Sequence, residues 1–113
     1  MKITTLLTLA VIAAHSPAQA QGVNDFKIGF TVKMGITCGH LLIKEGQGIK
    51  GSNALQRARI ATYSHNLIKQ TKGTQAGINA ASNLLNSETP TQQIEFCKLF
   101  SKEGYKSLAK YVI

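Results

Sequence analysis

The sequence predicts a mainly α-helical single domain of four to five short helices, tied by one disulfide and opened by an extended segment that reads as a β-strand; an α+β fold is the alternative. Three observations carry this reading. Apolar residues recur at helical spacing between recognisable caps through most of the second half of the chain, and the chain holds one pair of cysteines, Cys38 and Cys97. Phe26 to Cys38 alternates apolar and polar positions without a break.

Residues 1–20 read as a secretory leader. Lys2 supplies the positive start, Ile3 to Ala14 an uncharged and mostly apolar run, and Ala18-Gln19-Ala20 the small residues that a signal peptidase reads, so cleavage would leave Gln21 as the new terminus. The apolar run rises only about 18 Å as a helix, short of a hydrocarbon core of roughly 30 Å. No cysteine stands near the cleavage site to carry a lipid, and no later segment reads as apolar enough to span a membrane. The expected product is residues 21–113, a soluble periplasmic or secreted domain. In an exported chain Cys38 and Cys97 read as a disulfide, and closing so long a loop stabilises a small fold by about 4 kcal/mol on the chain-entropy argument.

In the alternating run the even positions are Phe26, Ile28, Phe30, Val32, Met34, Ile36 and Cys38, and Gly29, Gly35 and Gly39 count against a helix. Phe26, Phe30, Met34 and Cys38 also fall at i, i+4 spacing, so a helix stays open beside the strand. A strand of that length needs a partner, and no second alternating run exists. Such a strand either folds back on itself near Gly29 or Gly35 or pairs with a second copy of the chain, as a homodimer, with Phe26, Ile28, Phe30 and Val32 as the candidate pairing segment.

Glu45 to Gly51 reads as a glycine-rich connector. Ser52 and Asn53 offer caps, with Gln56 completing a capping box, for a helix expected to run to about Lys72 and stop at Gly73. Its wheel gathers Ile60, Tyr63 and Leu67 on one side and His65, Lys69 and Lys72 on the other. Thr74 is the expected cap of the next helix, whose stripe is Ile78, Ala81, Leu84 and Leu85. Thr89, Pro90 and Gln92 give the clearest helix start: a cap, a residue that loses nothing by lacking an N–H in the first turn, and a side chain that can reach back. Ile94, Phe96, Cys97, Leu99 and Phe100 make its apolar arc and Gly104 ends it; Tyr105, Leu108, Ala109 and Val112 then suit one more short helix.

The motifs that could carry chemistry fail on context. Gly46-Gln47-Gly48-Ile49-Lys50-Gly51 has dinucleotide-loop spacing but no βαβ setting, and no Asp or Glu occurs between Glu45 and Glu88 to hold a ribose. Cys38, His40, His65 and Cys97 would make a Cys2His2 set, yet their spacing is not that of a zinc finger and a disulfide would consume both sulfurs. A cysteine nucleophile would need one of those histidines beside it in space, and neither has an evident Asp or Asn to orient it. The five carboxylates are too dispersed in sequence to suggest a two-carboxylate hydrolase. No catalytic residue, metal or cofactor is expected.

The whole chain carries a formal charge of +8, or +7 once Lys2 leaves with the leader. Such a balance favours anionic partners: an acidic protein, anionic lipid or a surface polysaccharide, with nucleic acid demoted by export. Lys98, Lys102, Lys106 and Lys110 recur every fourth residue and are the candidate basic face, which Gly104 is expected to break into two pairs.

From Ile36-Thr37-Cys38, entering a short helix, through a long middle helix and a third helix to Phe96-Cys97 in a late one and the terminal basic helix, the layout resembles the HdeA-like group of small periplasmic helical proteins and the related Rap1a/Tai immunity proteins. The resemblance implies an all-helical domain tied through Cys38 and Cys97, often a homodimer, that binds proteins rather than catalysing. With only Asp25, Glu45, Glu88, Glu95 and Glu103 to protonate, the chain departs from the acid-switching members. The function expected is protein–protein interaction of a chaperone-, inhibitor- or immunity-like kind. The alternative is a cationic protein on the anionic membrane or envelope surface.

Overall fold

The structure, a computed structural model, describes residues 17–64 and 71–112. Four α-helices follow one another: α1 (Pro17–Lys44), α2 (Gly48–Ser64), α3 (Lys72–Asn86) and α4 (Pro90–Glu103), then two 3-10 turns, Tyr105–Ser107 and Ala109–Tyr111. Among the described residues there is no strand. The leader up to residue 16 lies outside them, as do His65, Leu67 and Lys69.

The segment expected to be extended is the middle of α1, the longest helix. The choice between the two spacings is visible in burial: Phe30, Met34, Cys38 and Leu42, four apart, are fully buried, while Val32 is half-buried and Ile36 is 45 % exposed. A strand would have sunk Val32 and Ile36 with their even-numbered neighbours. A lone strand would leave its backbone groups without partners, whereas a helix satisfies them internally. The pairing role expected of Phe26, Ile28, Phe30 and Val32 falls with the strand: Phe30 and Ile28 face the interior of one chain.

The glycines that argued against a helix are what this helix needs. A Cβ on Gly29 would lie 2.1 Å from the Thr74 carbonyl oxygen, and one on Gly35 would lie 2.6 Å from that of Ala54. α1 therefore receives α3 and α2 at near-backbone contact. α2 answers with its own small residues, burying Gly51, Ala54 and Ala58. Ile60 and Tyr63, grouped on one side of the wheel, remain 54 % and 71 % exposed because small residues, rather than large apolar ones, make the α1 contact.

Several boundaries move for similar reasons. α1 ends in a Schellman arrangement: Gly46, at φ +79°, donates to Ile43 O, and Gln47 N donates to Leu42 O at 2.8 Å. α2 then starts at Gly48, so Ser52 and Asn53 lie inside the helix and cap nothing. α3 starts at Lys72, which places the expected helix end at Lys72 and Gly73 inside its first turn. Its cap is Thr71, with Thr74 as the reciprocal third residue, and the Thr71 hydroxyl also donates to Asp25 Oδ2 at 3.0 Å, tying this helix start to α1. α4 starts as expected, with Thr89 Oγ1 accepting from Gln92 N at 3.2 Å and Pro90 in the first turn.

α1 is the axis on which the others assemble, and α4 also packs across α2. The core gathers the α1 ladder, Ala81, Leu84 and Leu85 of α3, Phe96 and Phe100 of α4, and Leu108 from between the 3-10 turns. Burying one such Leu or Phe side chain contributes about 1.5–3 kcal/mol. Cys38 and Cys97 are joined, with Cα atoms 5.0 Å apart, fastening α1 to α4 across the two intervening helices.

Asn24–Lys44 within α1 is, by length and composition, apolar enough to cross a membrane, contrary to the expectation that no later segment would be. Here its apolar residues and glycines meet α2, α3 and α4, and 44 % of its most apolar window is buried by the rest of the chain.

Candidate functional site

Two concave surfaces lie beside the contact between α2 and α4, and three hydrogen bonds hold that contact. Ser101 Oγ donates to Lys50 O at 2.7 Å, and Arg57 donates from Nε to Ser101 O at 3.1 Å and from Nη2 to Lys102 O at 2.8 Å. The guanidinium thus covers carbonyls of the last turn of α4, where the helix dipole is negative.

The larger surface is a groove of about 660 Å³ between the start of α2 and the outer side of α4. Its apolar lining is Ile49, Phe96, Leu99 and Tyr111; Ile49 is 81 % exposed, the Tyr111 ring is about half exposed, and it stands edge-on to Phe96 at 5.1 Å. Lys50, Lys98 and Lys102 also line it. Its one acidic residue, Glu95, pairs with Lys98 at 3.4 Å, leaving Lys50 and Lys102 without a carboxylate among the described residues. Such a surface can bury an apolar side chain while steering an anionic partner.

The second is a cleft of about 400 Å³ between the first half of α1, the second half of α2 and the turn after α4. Lys27, Arg57 and Lys106 bring positive charge to it and Glu103 one negative charge. Gly104 forms part of the wall at φ +78°, and a Cβ there would stand 2.8 Å from Arg57 Nη1, so the glycine is required both for the chain reversal and for the guanidinium. Tyr105, which packs edge-on against Phe30 at 5.4 Å, has its phenol pKa pushed up from the ordinary value by burial, and Lys27 Nζ sits 5.9 Å above its ring.

The four candidate lysines do not share one face. Lys98 and Lys102 belong to the groove, Lys106 to the cleft, and Lys110 sits 5.2 Å over the Tyr111 ring, with Gly104 ending α4 between the pairs. Ile49 and Lys50, which complete the groove, lie in the expected connector, and nothing in the local spacing of Lys27 and Arg57 marks them for the cleft. The glycine-rich loop has its own structural explanation: Gly46 turns the chain, Gly48 begins α2, and Gly51 packs against Gly39 and Ile43.

Among the described residues no group of three His, Cys, Asp or Glu side chains stands close enough to share a metal ion. His40 is exposed on α1, and both sulfurs are bonded to each other. The disulfide and the apolar N-terminal stretch point, weakly, toward export. No family model, curated protein or solved structure matches the chain.

Proposed function

We propose that this is an exported binding protein that engages an acidic protein partner through the groove between α2 and α4. The observation that carries the reading is the exposed Ile49 and Tyr111 beside Lys50, Lys98 and Lys102, an apolar patch rimmed by unbalanced positive charge. An amphipathic acidic segment suits it, seating apolar residues on Ile49, Leu99 and Tyr111 and carboxylates on the lysine rim. The reading falls in the chaperone-, inhibitor- or immunity-like class that the HdeA-like and Rap1a/Tai layout implies, and the leader-like N-terminus supports a periplasmic or secreted setting.

A photo-crosslinking residue at position 99 of the exported protein tests this. A discrete acidic protein should be captured from position 99, not from position 36 on the outer side of α1, and lost in Lys50→Glu/Lys102→Glu. Equal capture from both positions, or from the charge-reversed variant, would reject the groove. A second reading, attachment to anionic lipid, is favoured by the exposure of Lys102, Lys106 and Lys110. Salt-sensitive binding to phosphatidylglycerol vesicles, with no protein captured, would select it.

A further inference from the structure

The cleft on the other side of Arg57 differs from the groove in shape and in chemistry. It is a smaller hollow, set among three elements, with a volume within the span of small-molecule sites, about 300–1,000 Å³. Its positive groups come from three separate places in the fold, Lys27 on α1, Arg57 on α2 and Lys106 in the turn after α4, against the single acid Glu103. None of the four forms an ion pair among the described residues. Arg57 is the fixed member: Nε and Nη2 are held by the carbonyls of Ser101 and Lys102, while Nη1, against Gly104, donates to no acceptor among the described residues. Three cations against one carboxylate leave the cleft net positive, which favours an anionic group. Beside the cations, Ile28, Ile60, Ala61 and Tyr105 supply apolar wall, and Ile60 is 54 % exposed.

We infer that this cleft binds a small amphipathic monocarboxylate, its carboxylate meeting Arg57 Nη1 between Lys27 and Lys106 and its apolar chain lying along Ile28, Ile60 and Ala61. The charge-assisted contacts set the orientation, and the chain supplies contact area that a bare inorganic anion cannot use. This site goes beyond the protein-docking groove and stands or falls separately from it, since the test uses purified protein and defined small molecules.

The experiment is a titration of the oxidised mature protein with octanoate, followed by backbone amide NMR, with octan-1-ol and inorganic phosphate as the chain-only and charge-only arms. Octanoate should give saturable shifts at Ile28, Thr31, Ala61 and Tyr105, and each single-feature probe should bind at least about tenfold more weakly. Lys27→Gln/Lys106→Gln changes two exposed side chains and should weaken octanoate by about tenfold or more while leaving the rest of the spectrum in place. Ile60→Asp should weaken it through the chain. The inference is overturned if octanoate fails to saturate at these amides, if octan-1-ol or phosphate matches it, or if the double-lysine variant binds octanoate as well as the parent does.

Discussion

Replacing Gly77 by Ala is the sharpest test of how α1 and α3 meet. A Cβ at Gly77 would stand 2.1 Å from Phe26 O and 2.7 Å from Phe30 N, both backbone atoms within α1. Neither can swing aside as a side chain does. Ordinary contact begins at 3.4 Å, so relief along the shorter vector requires the helices to separate by 1.3 Å. That separation loosens Phe30, Ala81, Leu84 and Leu85 together, because the same interface carries them. Overpacking of this kind costs about 1–3 kcal/mol, and backbone-limited cases sit at the upper end. Alanine returns about 1 kcal/mol through its better helix propensity. The net expectation is a loss of about 2 kcal/mol, or a fall in Tm of about 8–16 °C for a domain of this size. Gly48→Ala is the matched control: a Cβ there meets nothing within 4 Å, so the change should be neutral or stabilising by up to about 1 kcal/mol. Thermal and urea unfolding followed by far-UV circular dichroism on both oxidised variants decides the matter. A Gly77→Ala protein as stable as Gly48→Ala would refute close backbone packing as the reason for the glycine.

Three further outcomes follow from the same structure. Reducing Cys38–Cys97, which closes a loop of 59 residues in sequence separation, should remove about 4 kcal/mol and lower the Tm by about 20 °C or more; a shift under about 5 °C would mean that the bridge adds little to the helical packing. Arg57→Met should cost about 1–2 kcal/mol in urea unfolding, because it keeps the apolar stem but uncovers the Ser101 and Lys102 carbonyls, and Arg57→Lys should recover only part, lacking the fork that reaches both; equal midpoints for all three proteins would discount the contact. Burial raises the Tyr105 phenol above 10.0, so the unfolded chain gives up its proton first: the contribution is whole below about pH 10 and declines as pH climbs toward the folded-state value. Comparing urea midpoints of the parent and Tyr105→Phe from pH 8 to 11 should show the steeper alkaline fall in the parent, and parallel curves would count against burial of the phenol.

The parts of the candidate surfaces that could be read in advance lie on α4. Thr89-Pro90, the apolar arc around Cys97 and the stop at Gly104 are local signals, so Lys98 and Lys102 could be placed on one helix and Lys106 and Lys110 beyond it. The other half of each surface comes from distant chain. Ile49 and Lys50 enter the groove because Gly51 docks on Gly39 and carries the start of α2 back along α1; Arg57 enters the cleft because α4 ends above it. No pattern within a window of ten or fifteen residues contains those relations.

By itself the sequence determined helical content for α3 and α4, the capping at Thr89, the chain reversal at Gly104, the cysteine pair and the basic charge, all properties of neighbouring residues or of composition. Tertiary structure alone decided α1. Phe26 to Cys38 satisfies period two and i, i+4 spacing together, and its glycines weaken a helix judged in isolation. They become necessary once α2 and α3 approach to backbone contact, because only a residue without a Cβ admits them, and the burial gained there outweighs the lost propensity. The same close approach placed small residues on the buried face of α2, left Ile60 and Tyr63 outside, and formed the two surfaces on which the binding proposals rest.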